Sequence, residues 1–121
     1  MNDERVFTWL ADHDRRYHVN AYIFVLESLR YTQALYKKHR HVSGRQLLVG
    51  IAKMAKERFG GMAYIVFDDW GIATPRDFGN IVFNLVEMGE VKKTADDSIE
   101  DFDIAFDLKH ELEHADQLLS E

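Results

Sequence analysis

The chain of 121 residues contains no cysteine and a single proline, Pro75. Without cysteine there can be no disulfide framework, iron–sulfur cluster, cysteine zinc site or thiol nucleophile. The scarcity of proline favours helices, since chains built from many short strands usually need more turn residues. Long apolar runs are missing as well. The longest covers residues 21–26, whereas a membrane-spanning helix needs about 20 apolar residues.

The residues that are present suffice for one folded domain. Hydrophobic residues make up 46% of the chain and aromatic residues 12%, so a chain of this length can bury a substantial core. The first five residues lack the basic and apolar regions of a secretory signal. We therefore expect a single cytoplasmic domain over residues 1–121, with no membrane partner.

The net charge of −6 divides unevenly along the chain. Residues 1–58 carry 11 Lys or Arg against 6 Asp or Glu, which makes this half basic. Residues 59–121 carry 4 Lys or Arg against 15 Asp or Glu, which makes this half strongly acidic. Such an asymmetry bears on partners and not on the fold. The basic half is expected either to pack against the acidic half or to present a binding surface.

Apolar residues recur at the 3.6-residue period of an α-helix through most of the chain. The pattern predicts helices over residues 3–11, 18–38, 44–59, 62–70, 75–88 and 107–121. The third helix has a clear start, because Ser43 and Gln46 have the spacing of a capping box. The fifth helix begins with Thr74 as N-cap and Pro75 at the first helical position, an arrangement typical of helix N-termini.

Residues 91–106 break the helical pattern. Apolar residues alternate in part there, so the segment could form a small β-hairpin; a short helix capped by Thr94 is the other interpretation. The predicted fold is mainly α, in one compact helical domain. Its parts are N-terminal helices in residues 1–41, a winged-helix-like three-helix core in residues 42–106, and a C-terminal helix in residues 107–121.

Several sequence blocks follow one another between residues 14 and 106. They are Arg16-Tyr17-His18 with Ala21-Tyr22 and Phe24-Val25, His41-Val42-Ser43-Gly44, Phe59-Gly60 with Met62-Ala63, Trp70-Gly71-Ile72, and Asp77-Phe78-Gly79 with Ile81-Val82-Phe83-Asn84. With these blocks the chain resembles a family of small bacterial proteins whose function is uncharacterised. The resemblance implies no activity.

The motif closest to known chemistry is residues 110–114, which match H-E-x-x-H. On a helix, His110 and His114 would share a face and could hold zinc, with Glu111 as the general base. Only seven residues follow His114, and none of them is the histidine that would complete a zinc peptidase site. We therefore expect no metal site at these three residues, no cofactor and no enzymatic activity.

A winged helix suggests DNA binding, but the charges of the predicted recognition helix over residues 75–88 do not fit that function. Its polar face consists of Asp77, Asn80, Asn84 and Glu87, so phosphates would meet two carboxylates there. DNA binding through this helix is not expected. The alternative is nucleic-acid binding by basic residues of the N-terminal half, namely Arg30, Lys37, Lys38, Arg40, Arg45, Lys53 and Lys56.

Three apolar side chains fall outside the main helical stripes: Tyr31, Phe83 and Val86. They could fill the rest of the core or form a surface for a protein partner. Because the sequence contains no convincing catalytic or metal-binding pattern, the first prediction is a non-enzymatic protein-interaction module. Its partner would be another protein or a second copy of the chain, which would give a homodimer.

Overall fold

A computed structural model describes residues 3–37, 42–92 and Phe102 of the chain. Its helices are α1 (Asp3–His13), α2 (Val19–Leu35), α3 (Gly44–Phe59), α4 (Ala63–Asp69) and α5 (Pro75–Glu87), with a 3₁₀ turn (Gly60–Met62) between α3 and α4. No β-strand occurs in these ranges, and the prediction of a mainly α fold is confirmed. Within the same ranges, no helix has both the length and the apolar character needed to cross a membrane.

The C-terminal predictions are largely outside this description. The hairpin or short helix expected within residues 91–106 overlaps the described residues only at Val91, Lys92 and Phe102. The helix expected over residues 107–121 lies outside them. The described fold is therefore the five-helix part of the chain.

Side chains at the helix starts satisfy the first backbone N–H groups. At α3, Ser43 Oγ accepts a hydrogen bond from Gln46 N–H at 3.1 Å, and the Gln46 side chain accepts one from Ser43 N–H at 3.0 Å. This confirms the predicted capping box. At α5, Thr74 occupies the N-cap position, and Asp77 reaches back to accept from Thr74 N–H at 2.9 Å.

Two helices have ends that differ from the prediction. α1 extends to His13, two residues further than predicted, because Asp14 N–H still donates to the Leu10 carbonyl at 3.0 Å. α2 ends at Leu35, three residues earlier than predicted, because Lys37 adopts a φ of 55°, which a right-handed helix cannot accommodate. The remaining three helices agree with their predicted ranges to within one residue.

α2 and α3 approach each other closely. A Cβ atom added to Gly50 of α3 would overlap the Thr32 side chain of α2, so only glycine fits there. Ser28 and Thr32 are fully buried, and their hydroxyls donate to the carbonyls of Phe24 at 2.8 Å and Ser28 at 2.6 Å. Small hydroxyl side chains can therefore line the contact without leaving an unsatisfied polar group.

An aromatic cluster joins α4 to α2 and α5. The ring centroid of Phe67 on α4 lies 5.6 Å from Phe24, 5.3 Å from Phe78 and 6.0 Å from Trp70. Edge-to-face and tilted ring contacts at these distances are favourable. One side of the short helix α4 is thereby fixed in the core.

Phe102 attaches a later part of the chain to α5. Its side chain is 5% exposed, and a Cβ atom added to Gly79 would lie 3.0 Å from its ring. Such a distance is too short for an ordinary contact, so the absence of a side chain at Gly79 provides the space in which Phe102 packs.

An ion pair joins the basic half to the acidic half. Arg5 Nη1 of α1 lies 2.6 Å from Glu90 Oε1, and Arg5 Nη2 donates to the Met88 carbonyl at 2.6 Å. Packing between the halves therefore contributes to neutralising Arg5. Within the basic half, Arg16 pairs with Asp14 and Arg58 pairs with Glu27.

Candidate functional site

The polar face of α5 lies against the turn between α1 and α2. In that turn the Tyr17 hydroxyl donates a hydrogen bond to Asp77 Oδ1 at 2.6 Å and accepts one from Asn80 Nδ2 at 2.9 Å. Asp77 Oδ2 accepts from the N–H groups of Ala73 and Thr74 at 2.8 and 2.9 Å. Tyr17 is buried, so the two bonds made by its hydroxyl are partly shielded from water.

One turn further along α5, Asn84 makes a second set of bonds. Its Nδ2 donates to the Tyr22 hydroxyl and to Asp14 Oδ2, both at 2.8 Å. Asp14 also accepts from the Arg16 guanidinium, with Nη2 at 2.7 Å from Oδ2 and Nε at 3.0 Å from Oδ1. The turn between α1 and α2 is therefore tied to two successive turns of α5.

Burial and hydrogen bonding set the ionisation of these groups. Burial raises the pKa of Tyr17 and of Tyr22 to about 12. Hydrogen bonds from Arg16 hold the pKa of Asp14 well below its usual value. Burial opposes ionisation of Asp77, but hydrogen bonds from Tyr17 and from the backbone outweigh burial and lower its pKa. Near pH 7 both tyrosine hydroxyls are therefore neutral, and the two carboxyls are charged acceptors.

This polar network accounts for most of the polar face of α5. Asp77, Asn80 and Asn84 are half-buried and bonded within the chain, and only Glu87 of the four predicted residues is exposed. The polar face of α5 is therefore not a solvent-facing surface at those three residues. The reason is that residues 14–22 provide the hydrogen-bond partners of these side chains. Periodicity shows which residues share a helix face but not which residues pack against it.

The basic residues of the nucleic-acid alternative are interrupted by carboxylates. Arg30 on α2 is exposed, but Glu27 lies one turn away and pairs with Arg58 at 2.8 Å. Glu57 on α3 accepts a hydrogen bond from the Tyr31 hydroxyl at 3.0 Å. Of the other candidates, Lys37 and Arg45 are exposed, Lys53 and Lys56 are half-buried, and Lys38 and Arg40 lie outside the described residues.

The three side chains predicted for an interaction surface, Tyr31, Phe83 and Val86, are all half-buried. Tyr31 packs against the core, and its hydroxyl is bonded to Glu57. None of the three is among the most exposed large apolar residues of the described chain. The interaction surface that sequence periodicity selected is therefore not the most accessible one.

A more exposed apolar surface lies on the 3₁₀ turn and α4. Met62 is 56% exposed, Tyr64 43% and Ile65 58%. Helical geometry explains this exposure: Ala63 and Phe67 are buried on the inner side of the helix, which leaves Met62 and Ile65 on the opposite side. We refer to Met62, Tyr64 and Ile65 as the outer face of α4.

Sequence reasoning missed the outer face of α4. It assigned an inward stripe to the helix over residues 62–70 and did not consider the apolar residues on the other side. The signal was nevertheless present, because Met62, Tyr64 and Ile65 are apolar or aromatic and lie off that stripe. A short helix with apolar residues on both sides is either surrounded by core or exposed for a partner.

A second surface feature is an open groove along α1. It has a volume of about 520 Å³ and is lined by Glu4, Arg5, Thr8, Trp9, Asp12 and His13. The Trp9 and His13 rings stack there with centroids 4.3 Å apart. Among the described residues no three His, Asp or Glu side chains are grouped to hold a metal ion. The H-E-x-x-H residues His110, Glu111 and His114 lie outside that part of the chain.

Comparison with known proteins adds no functional assignment. No protein family, curated protein or solved structure matches the chain. The features that bear on function are therefore those of the chain itself. They are the polar network, whose side chains bond to one another, and the exposed outer face of α4.

Proposed function

We propose that the chain is a non-enzymatic protein-interaction module of the cytoplasm and that the outer face of α4 is its contact surface. The observation that carries the proposal is the exposure of Met62, Tyr64 and Ile65, three large side chains within four consecutive residues. Adjacent apolar side chains with a polar rim are typical of surfaces that bind other proteins. Asp68 and Asp69, both exposed, provide such a rim on the same helix.

The inner side of α4 gives this surface a rigid support. Phe67 is fully buried, with its ring against Phe24 and Phe78. A surface held by the core loses little conformational freedom when a partner binds. Cβ atoms added to Gly60 or Gly61 would meet nothing within 4 Å, so a partner could approach the backbone before α4.

The size of the surface favours a short segment of a partner. Side chains of this kind have roughly 200 Å² of surface each, so the exposed part of the three is on the order of 300 Å². A stable protein–protein interface buries about 800 Å² on each partner. A homodimer would therefore need further contacts beyond this face, and a second copy of the chain is the alternative occupant.

Nucleic-acid binding by the basic half is the alternative function. Its support is the exposure of Arg30, Lys37 and Arg45. Glu27 and Glu57 lie on the same pair of helices and would repel phosphates. We therefore place nucleic-acid binding second to protein interaction.

The finer fold assignment is part of the same proposal. α3, α4 and α5 follow one another through short connections, as the helices of a winged-helix core would, and a hairpin within residues 91–106 would supply the wing. We also propose membership of the small bacterial family that the sequence blocks resemble. Those blocks include Tyr17, Tyr22, Asp77 and Asn84, so relatives with the same blocks would share the polar network.

Photo-crosslinking in living cells tests the proposed surface. The variant Ile65→benzoylphenylalanine should give discrete adducts of higher mass, because a bound partner would contact that side chain. The matched control is Phe7→benzoylphenylalanine, since Phe7 is 63% exposed but lies on α1. An adduct with the mass of two chains would identify a second copy as the partner. No adduct at position 65, or identical adducts from both positions, would contradict the proposal.

A further inference from the structure

We infer that the partner of the outer face of α4 is a basic amphipathic segment, with apolar side chains flanked by Lys or Arg. This inference rests on the proposed function, because it names the chemistry of what the same face would bind. The observation that supports it is the presence of two carboxylates, those of Asp68 and Asp69, beside the apolar side chains. Asp68 and Asp69 are both exposed and are the last two residues of α4.

The two carboxylates have no partner in the described part of the chain. No hydrogen bond or ion pair to either side chain is found there, whereas Glu27, Asp14 and Glu90 each pair with an arginine. Asp68 and Asp69 are therefore available to the cationic side chains of another molecule.

Their position on the helix makes them unfavourable for folding. The C-terminal end of a helix carries partial negative charge from its carbonyl groups, so carboxylates there are destabilising. The last turn of α4 contains no basic residue that would compensate. The pair therefore does not stabilise α4 through the helix dipole, and a cationic partner would relieve the repulsion.

Charge also argues against a symmetric dimer through α4. In such a dimer the same surface patch on both copies would meet, and four carboxylates would enter the interface with no basic side chain of the patch to pair with them. Like charges placed together across an interface oppose association. A basic segment instead combines the apolar contacts of Met62 and Ile65 with opposite charges at the rim.

Peptide titration tests the inference. The probe is a fluorescent helical peptide of leucine and lysine, about 14 residues or four turns long, and the comparison peptide has glutamate in place of each lysine. We expect the lysine peptide to bind at least about tenfold more tightly than the glutamate peptide. Asp68→Asn and Asp69→Asn should each weaken it about two- to fivefold, the range of exposed ion pairs.

The control variant is Glu87→Gln. Glu87 is also exposed, also ends a helix and also carries one negative charge, but it belongs to α5. Its substitution should leave peptide affinity unchanged, which separates local recognition from attraction to the net charge of −6. Ile65→Ser should weaken both peptides, because it removes the apolar contact that they share.

The outcomes separate the inference from the proposed function. If both peptides bind equally and Ile65→Ser weakens both, the inference is wrong and the outer face of α4 remains a binding surface. If Ile65→Ser changes the affinity of neither peptide, the outer face of α4 is not the binding site, and the inference and the proposed contact surface are both wrong. No binding of the lysine peptide, or equal weakening by Glu87→Gln and Asp69→Asn, overturns the inference. A dimer in sedimentation that Ile65→Ser dissociates would make a second copy the partner, which also overturns it.

Discussion

The Tyr17 hydroxyl donates a hydrogen bond to the Asp77 carboxylate at 2.6 Å, across 60 residues of sequence. The bond holds the turn before α2 against the first turn of α5. Asp77 at the same time accepts from the backbone at the start of α5, so one carboxylate serves both as a helix cap and as a tertiary contact. Loss of the tyrosine hydroxyl should therefore affect the whole fold.

Tyr17→Phe tests that relationship. The variant removes the donor to a half-buried carboxylate, and a hydrogen bond to a charged group contributes about 1.5–3 kcal/mol. We expect the free energy of unfolding in urea to fall by that amount. The control is Tyr64→Phe, which removes an exposed hydroxyl and should stay within about 0.5 kcal/mol of the unmodified chain. Equal effects from both variants would show that the Tyr17 bond does not stabilise the fold.

Acid should destabilise the fold through Asp14 and Asp77. Each has a lower pKa in the folded chain than in the unfolded chain, so protons bind the unfolded chain more readily. Their contribution to stability is complete above the unfolded value of about 3.9 and is lost as the pH falls towards the folded values. Arg16→Gln should reduce this loss, because the Arg16 hydrogen bonds lower the pKa of Asp14. The free energy of unfolding in urea is measured between about pH 2.5 and 7 for the unmodified chain and for Arg16→Gln. Identical pH profiles for the two proteins would contradict the role of Arg16.

Gly50→Ala tests the close approach of α2 and α3. The new methyl group would overlap Thr32, and overpacking of this kind costs about 1–3 kcal/mol. Gly61→Ala is the control, since its methyl group would meet open space. The control should be neutral or stabilising by about 0.4–1 kcal/mol. In the Gly50→Ala background, Thr32→Ala should recover part of the lost stability, because it removes the overlapping side chain. In the unmodified chain, Thr32→Ala should not increase stability. Calorimetric melting of the three single variants and the Gly50→Ala/Thr32→Ala double variant measures these effects. Equal melting temperatures for Gly50→Ala and Gly61→Ala would show that α2 and α3 can move apart without cost.

Phe102→Ala should reveal how firmly the later chain is attached to α5. Replacing a buried phenylalanine by alanine costs about 3–5 kcal/mol, and Phe102 is buried against Gly79. Phe7→Ala, at an exposed position, should cost far less. A loss below about 1 kcal/mol in urea unfolding of Phe102→Ala would mean that this side chain is not part of the core.

Much of the fold was predictable because local signals repeat along the chain. The 3.6-residue period and the Ser43 capping box located α3, and Thr74 with Pro75 located the start of α5. The end of α2 was not predictable, because it depends on the left-handed conformation of Lys37, a residue type that carries no such signal.

The functional surfaces were harder to predict because they depend on tertiary contacts. From periodicity, Asn80 and Asn84 are predicted to face solvent. In the structure they donate to Tyr17 and Asp14, which are distant in sequence. Periodicity identifies which residues share a face but not what that face meets. The outer face of α4 was missed for the same reason, since Ile65 could have been covered by another element and is instead 58% exposed.

Crosslinking from a neighbouring position tests the central claim most directly. A benzophenone at Met62 would report on the partner, and Ile65→Ser in the same chain would remove the apolar contact beside it. We expect Ile65→Ser to abolish the Met62 adduct while changing the free energy of unfolding by less than about 0.5 kcal/mol, as exposed positions do. An undiminished adduct in the Ile65→Ser chain would contradict the assignment of the outer face of α4 as the binding surface.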